Sequence, residues 1–270
     1  MILFKRVSES FRHIEGREWA LLALETLGVI AGILIAFELN EWAARRSAAQ
    51  KQHELLERLL EEAEATVTVT RSDRDQMNAI VGAEKSFATA LLHRAECPAE
   101  PAWKAVDTLP MYPSIAVPSS VYQEIVSSGG LSGIENTDVR RSVSRFHSLL
   151  AWYQAQNDHF RDKLNYPISI ADKGVTYDFD QSKAEPQISH YDREALCPDH
   201  RFRNGIADST RNHVMVAGYH SDLARAAIFT CVRIGAALGT SCVPPDGQLK
   251  GSDAQAARDA LSPRETHSDD

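Results

Sequence analysis

The stretch ALLALETLGVIAGILIAF, residues 20–37, decides the fold. Its eighteen residues carry one charge, Glu25, and tryptophans stand at the two margins, Trp19 and Trp42. A helix rises about 1.5 Å per residue, so residues 20–42 reach across a hydrocarbon layer of roughly 30 Å. Indole rings at both ends are what interfacial anchors require. A cleaved signal peptide and a buried soluble helix are the competing readings. The first is disfavoured: Glu38, Asn40, Glu41 and Trp42 form no small-residue cleavage site, and the apolar run exceeds an h-region. The expectation is one transmembrane helix over residues 20–42.

Outward from the span toward the start, residues 1–19 read as a basic amphipathic lead. Phe4, Val7, Phe11 and Ile14 recur at steps of three and four, with Lys5, Arg6, Arg12 and Arg17 between them. Such a helix lies in the headgroup plane with its bases toward anionic lipid. After the span, Arg45, Arg46 and Lys51 almost balance those bases, so the positive-inside rule leans only slightly toward an inner N-terminus. Within the span, Gly28, Gly32 and Ala36 form a small-residue stripe that also carries Glu25. Small residues let two backbones approach, which predicts self-association through this face with Glu25 at the seam. The plainer reading of Glu25 is a carboxylate reaching for the headgroups from near the Trp19 margin.

The soluble part follows. With 270 residues and 43% hydrophobic content, the chain can bury one sizeable core. A net charge of −8 and a pI near 5.7 argue against a nucleic-acid partner, which needs clustered Lys and Arg. From residue 43 to 92 the sequence is proline-free, with Gly82 the lone glycine, predicting a stalk helix continuous with the span. Leu56, Leu60, Ala63, Val67, Met77 and Val81 step by four and three, with Thr70 and Arg74 between, a coiled-coil pattern that asks for a partner helix. The acidic run at Glu54, Glu57, Glu61, Glu62 and Glu64 reads as a solvated helix face rather than a cation site.

Prolines 98, 101, 110, 113 and 118 predict an irregular connector. A helical pair over 120–166 follows, its first helix capped by Ser120 with Gln123 and ended at Gly129-Gly130, its second capped by Asn136. Val139, Val143, Phe146, Leu150, Tyr153, Asn157, Phe160 and Leu164 alternate steps of four and three, so this second helix is packed along its length, with Asn157 fixing register. Residues 167–205 read as an irregular or short-strand insertion, Val175, Tyr177 and Phe179 alternating with polar residues. A last helix is expected over 206–240, burying Ala217, Ala224, Ala227, Cys231, Ile234 and Leu238. Residues 244–270 read as a disordered tail. The fold class is therefore mainly α: a transmembrane helix, a stalk and an antiparallel helical bundle over residues 43–243.

Chemistry is sparse. Four cysteines, Cys97, Cys197, Cys231 and Cys242, contain no Cys-x-x-Cys pair; one or two disulfides fit the count, and so do four buried thiols. Disulfides would place the large domain outside the cytoplasm. Cys197-x-x-His200, followed by His213 and His220, offers zinc-ligand types, but in no standard module, and two residues seven apart on a helix stand roughly 10 Å apart. The plainer reading puts His213 and His220 on a partly exposed face. Gly-x-Ser-x-Gly is absent, and no cofactor is implied.

Two blocks have the look of one family. Glu25 through Gly32-Ile33-Leu34-Ile35-Ala36 to Asn40-Glu41-Trp42, then VYQEIVSSGGLSGIENTDVRRSV at residues 121–143, together resemble a family of uncharacterised bacterial single-span membrane proteins, a domain of unknown function. Where that family tends to have a second Asn before the tryptophan, this chain has Glu41. The resemblance implies a single-pass protein of the bacterial inner membrane and carries no activity or catalytic residue. The functional expectation is a membrane-anchored interaction or sensor-like module without evident catalysis, self-associated through the span and meeting a protein partner not named by the sequence. The alternatives are an intramembrane proton- or ion-coupling component using Glu25, and a membrane-tethered metal-dependent enzyme using His200.

Overall fold

The computed structural model describes residues 16–94, 96–162, 174–178 and 187–262, with the backbone alone at 16–20, 22, 23, 177, 178 and 187–189. The basic lead before residue 16, Leu164, Phe179, the end of the tail and the Trp19 side chain lie outside what is described. The chain divides into two units, Met1–Leu55 and Leu56–Asp270. Helix α1 (Gly16–Ala88) contributes to both and passes into a π-helical turn, Thr89–His93.

In the first unit, every side chain described from Leu24 to Trp42 is exposed, including Leu24 at 68%, Ile33 at 51% and Phe37 at 66%. This helix is long and apolar enough to cross a membrane. At the polar end of the apolar run the Arg46 guanidinium lies 5.4 Å from the centre of the Trp42 ring, a cation–π contact suited to an interfacial margin.

The second unit is a helical bundle. Beyond α1 it comprises α2 (Lys104–Asp107), α3 (Ser120–Ser127), α4 (Thr137–Asp162), the strands β1 (Val175–Asp178) and β2 (Gln187–Tyr191), α5 (Arg193–Leu196), α6 (His200–Leu238) and α7 (Gly251–Leu261). The buried seam of α1 follows the expected steps through Leu56, Leu60, Ala63, Val67, Thr70, Met77 and Val81, then continues to Glu84, Ala88 and Leu91. Phe87, Trp103, Tyr191 and Phe202, from four separate segments, make an aromatic core in which Trp103 stacks on Phe202 at 5.6 Å.

The helix boundaries have local causes. Asn136 Oδ1 accepts the amides of Asp138 and Val139 to open α4, and Asp199 accepts the amide of Arg201 to open α6. Gly239, at φ 71°, takes the left-handed conformation that closes α6. The start of α3 is different. Instead of Ser120 capping its own helix, the Glu62 carboxylate on α1 accepts the amides of Val121 at 2.7 Å and Tyr122 at 3.1 Å, and the Ser120 hydroxyl at 3.1 Å. Glu62 is buried, so this acid is a tertiary helix cap rather than part of a solvated face.

Other expectations are corrected in the same way. The proline connector holds a 3-10 turn (Glu100–Trp103) and α2, and it is laced to α4: Gln154 donates to the Ile115 carbonyl, Asn157 to Pro113 and Arg161 to Tyr112. Asn157 thus holds one backbone carbonyl of a proline-rich segment, and Gln154 and Arg161 beside it hold others. The last helix begins at His200, ahead of residue 206. The short-strand reading of the insertion is met by an antiparallel pair of strands, Val175 opposite Tyr191, with a register shift between Thr176 and Tyr177. Residues 251–261 are helical rather than disordered, because α7 buries Asp253, Ala256 and Ala260 along one face. Asp253 there forms an ion pair with Arg71 at 3.0 Å and accepts from Arg74 at 2.6 Å, two bases one turn apart on α1.

Candidate functional site

On the first unit, Gly28 and Gly32 would meet nothing within 4 Å if they carried a Cβ, and Ala36 and Glu25 are exposed beside them. The stripe presents an open surface of small residues. Trp42 is exposed at 56%.

The metal-ligand expectation at Cys197 and His200 is overturned. Cys197 is bonded to Cys97, so it has no thiolate to offer, and His200 is an exposed residue at the first position of α6. Cys231 is likewise bonded to Cys242. Among the described residues, the one trio of ligand types that converges is Glu64, Cys231 and Cys242. Both sulfurs there are bonded to each other, and Glu64 accepts the amide of Val243 at 2.7 Å.

His213 and His220 are not on a partly exposed face: they are 0% and 1% exposed. Both continue the seam of α6 at the same steps as Ala217 and Ala224. His213 Nδ1 meets both Glu84 oxygens, at 2.8 and 2.9 Å, and Thr108 donates to Glu84 at 2.9 Å. The Tyr112 ring packs edge-on against the imidazole at 4.5 Å. Burial raises the Tyr112 phenol to about 12 and lowers the His220 imidazole. These side chains form a buried polar layer inside the bundle.

A third histidine gives a pH prediction. His147 stacks flat on Tyr122, ring centres 3.3 Å apart, and burial lowers its imidazole to about 4. The unfolded chain binds that proton near pH 6.5, so the contribution to stability is complete above that pH and is lost as pH falls toward 4. After allowing for partial solvent screening, the loss from pH 7 to 5 is about 1 kcal/mol. Urea midpoints across that range should fall in the native chain and fall less in His147→Phe, which keeps the stack without titrating.

The open site lies elsewhere, in a cleft of about 540 Å³ between α4, α6 and α7. Helix α4 turns Arg141, Arg145, Phe146, Leu149 and Tyr153 into it, and α6 supplies Asp222, Arg225, Phe229 and Arg233. Helical spacing places these residues on facing sides. Tyr153 donates to Asp222 at 3.1 Å, and its phenol is pushed up to about 12, chiefly by burial and secondarily by the Asp222 charge. It is a fixed donor at every physiological pH. Its ring stacks on Tyr219 at 4.8 Å, which holds it in place. None of these cleft residues except Phe146 and Tyr153 stood out in the sequence, and those two stood out as core.

Compared with known protein families, curated proteins and solved structures, the chain matches none.

Proposed function

We propose that this chain is a single-pass protein of the bacterial inner membrane whose helical domain, held on the far side from the cytoplasm, serves as an interaction or sensor-like module. The observation that carries the reading is the unbroken exposure of large apolar side chains from Leu24 to Trp42, a surface that water penalises and hydrocarbon does not. Two disulfides support an oxidising compartment for the domain. The resemblance of residues 25–42 and 121–143 to bacterial single-span proteins supports the same placement. Self-association runs through Gly28, Gly32 and Ala36, whose open surface suits close backbone approach.

The test has two parts. The full chain should stay with membranes after alkaline extraction, and alkaline phosphatase fused after Ser262 should be active while a fluorescent protein at the same place stays dark. The double change Gly28→Ile, Gly32→Ile should reduce a membrane self-association reporter by about tenfold or more, the effect of losing roughly 1.4 kcal/mol of packing. Release of the native chain into the supernatant would overturn the anchor, and an unmoved reporter would overturn the dimer face. Glu25→Gln belongs in the same set: a structural acid tolerates it, whereas a coupling acid loses function with insertion intact.

A further inference from the structure

The arginine-lined cleft has no part in the anchoring and self-association proposed above. We infer that it binds a small organic anion, a carboxylate bearing an aromatic or aliphatic body. In a chain of net charge −8, four arginines line this cleft with two aspartates, and one of the four, Arg141, also faces Asp138 at 3.4 Å, which leaves a smaller local excess of positive charge. Both acids are already engaged: Asp222 accepts from Tyr153 at 3.1 Å, and Asp259 faces Arg225 at 3.5 Å. Among the described residues, Arg145 has no hydrogen bond or ion pair, while Arg233 is oriented by donating from Nε to the Ala260 carbonyl at 3.3 Å. Guanidinium groups present a planar fork of donors that matches a carboxylate.

The apolar lining decides between an inorganic anion and an organic one. Phe146, Leu149 and Phe229 line the cleft together with the bases. A bare phosphate would leave that apolar surface wet, whereas an aromatic or aliphatic body removes it from water. The volume is that of a small-molecule site, typically about 300–1,000 Å³. Helices α4 and α6 line the cleft on two sides, and Asp259 of α7 and Ser262 just after it line a third. This inference rests on the sensor-like reading for its biological role alone; binding itself does not depend on which side of a membrane the domain lies.

The experiment uses the full chain in detergent micelles, where anchoring and orientation play no part. Thermal unfolding is followed with benzoate, phenylacetate or hexanoate at millimolar concentration, against phenylacetamide and inorganic phosphate. At least one of the three carboxylates should raise the midpoint by about 2–4 °C, with phenylacetamide and phosphate giving less than half of that. Arg145→Glu, a change at an exposed side chain, should leave the unliganded midpoint in place and abolish the shift. Phe229→Ala should weaken the organic anions and leave any phosphate response unchanged. The inference is overturned if none of the carboxylates shifts the midpoint, if the neutral amide matches its acid, if phosphate alone does as well, or if Arg145→Glu binds like the native chain.

Discussion

Replacing Glu84 with alanine is expected to destabilise the helical bundle of the second unit by about 3–5 kcal/mol, measured as the loss of urea stability of the full chain in micelles. Glu84 is 1% exposed and His213 is 0% exposed, so neither has water to fall back on. The carboxylate accepts from His213 Nδ1 and from the Thr108 hydroxyl. Removing it leaves the buried imidazole Nδ1–H unpaired beside an Nε2 that already has no partner among the described residues. Thr108 keeps its second bond, to the Ala105 carbonyl at 2.8 Å, so the cost falls on the histidine. The double change Glu84→Leu, His213→Leu replaces the pair with apolar groups and should recover most of the loss. Trp103, 2% exposed in the adjoining core, reports the transition by fluorescence. A single variant that loses under about 1 kcal/mol would mean that the two side chains are not coupled as described.

That polar layer shows how far the sequence can be read and where it stops. The steps of four and three along α1 identify Leu56 to Val81, and one more step of three lands on Glu84. The same arithmetic on α6 passes from Ala224 through His220 and Ala217 to His213. Periodicity alone therefore places all three polar residues in the interior, yet composition argues for exposure, since acids and histidines are seldom fully buried without partners. The partner is what the sequence hides: Glu84 and His213 are 129 residues apart, and no local rule pairs them. Glu62 is the same case, an acid in an acidic run that is drawn inside by the amides of a helix starting 58 residues later.

The helix over residues 251–261 was hidden for a related reason. Its composition is polar and small, which reads as disorder, and what holds it is the pairing of Asp253 with Arg71 and Arg74 across 179 residues for the second of these. Arg74 also explains why a base stands at a seam position of α1: it faces an acid rather than a leucine. The cleft was illegible because its arginines lie four apart on one helix and eight apart on the other, on helices whose buried faces dominate the pattern, and exposed bases are ordinary on any helix. By contrast the long apolar helix was wholly legible, because eighteen adjacent residues carry the signal without needing a partner.

The second large effect concerns the bridge between Cys97 and Cys197. Changing both to serine should lower the thermal midpoint of the full chain by about 10–15 °C, corresponding to roughly 4–5 kcal/mol. The bridge spans 100 residues, and in the chain-entropy account that long loop restrains the unfolded state far more than the 11-residue loop closed by Cys231–Cys242, worth under about 3 kcal/mol. It also ties the connector after α1 to the start of α6, the two segments that bring Trp103 and Phe202 together in the aromatic core. Without the bridge, the hydrogen bond from Trp103 Nε1 to Pro98 remains, but the connector loses its covalent tie beside that core. The Cys231→Ser, Cys242→Ser chain supplies the internal comparison, with a smaller drop. Thiol labelling of denatured protein should find no free cysteine in chain recovered from membranes and two in each double variant's reduced partner sample. Four labelled thiols in the native chain, or equal midpoints for native and Cys97→Ser, Cys197→Ser protein, would remove both the bridge and the compartment argument built on it.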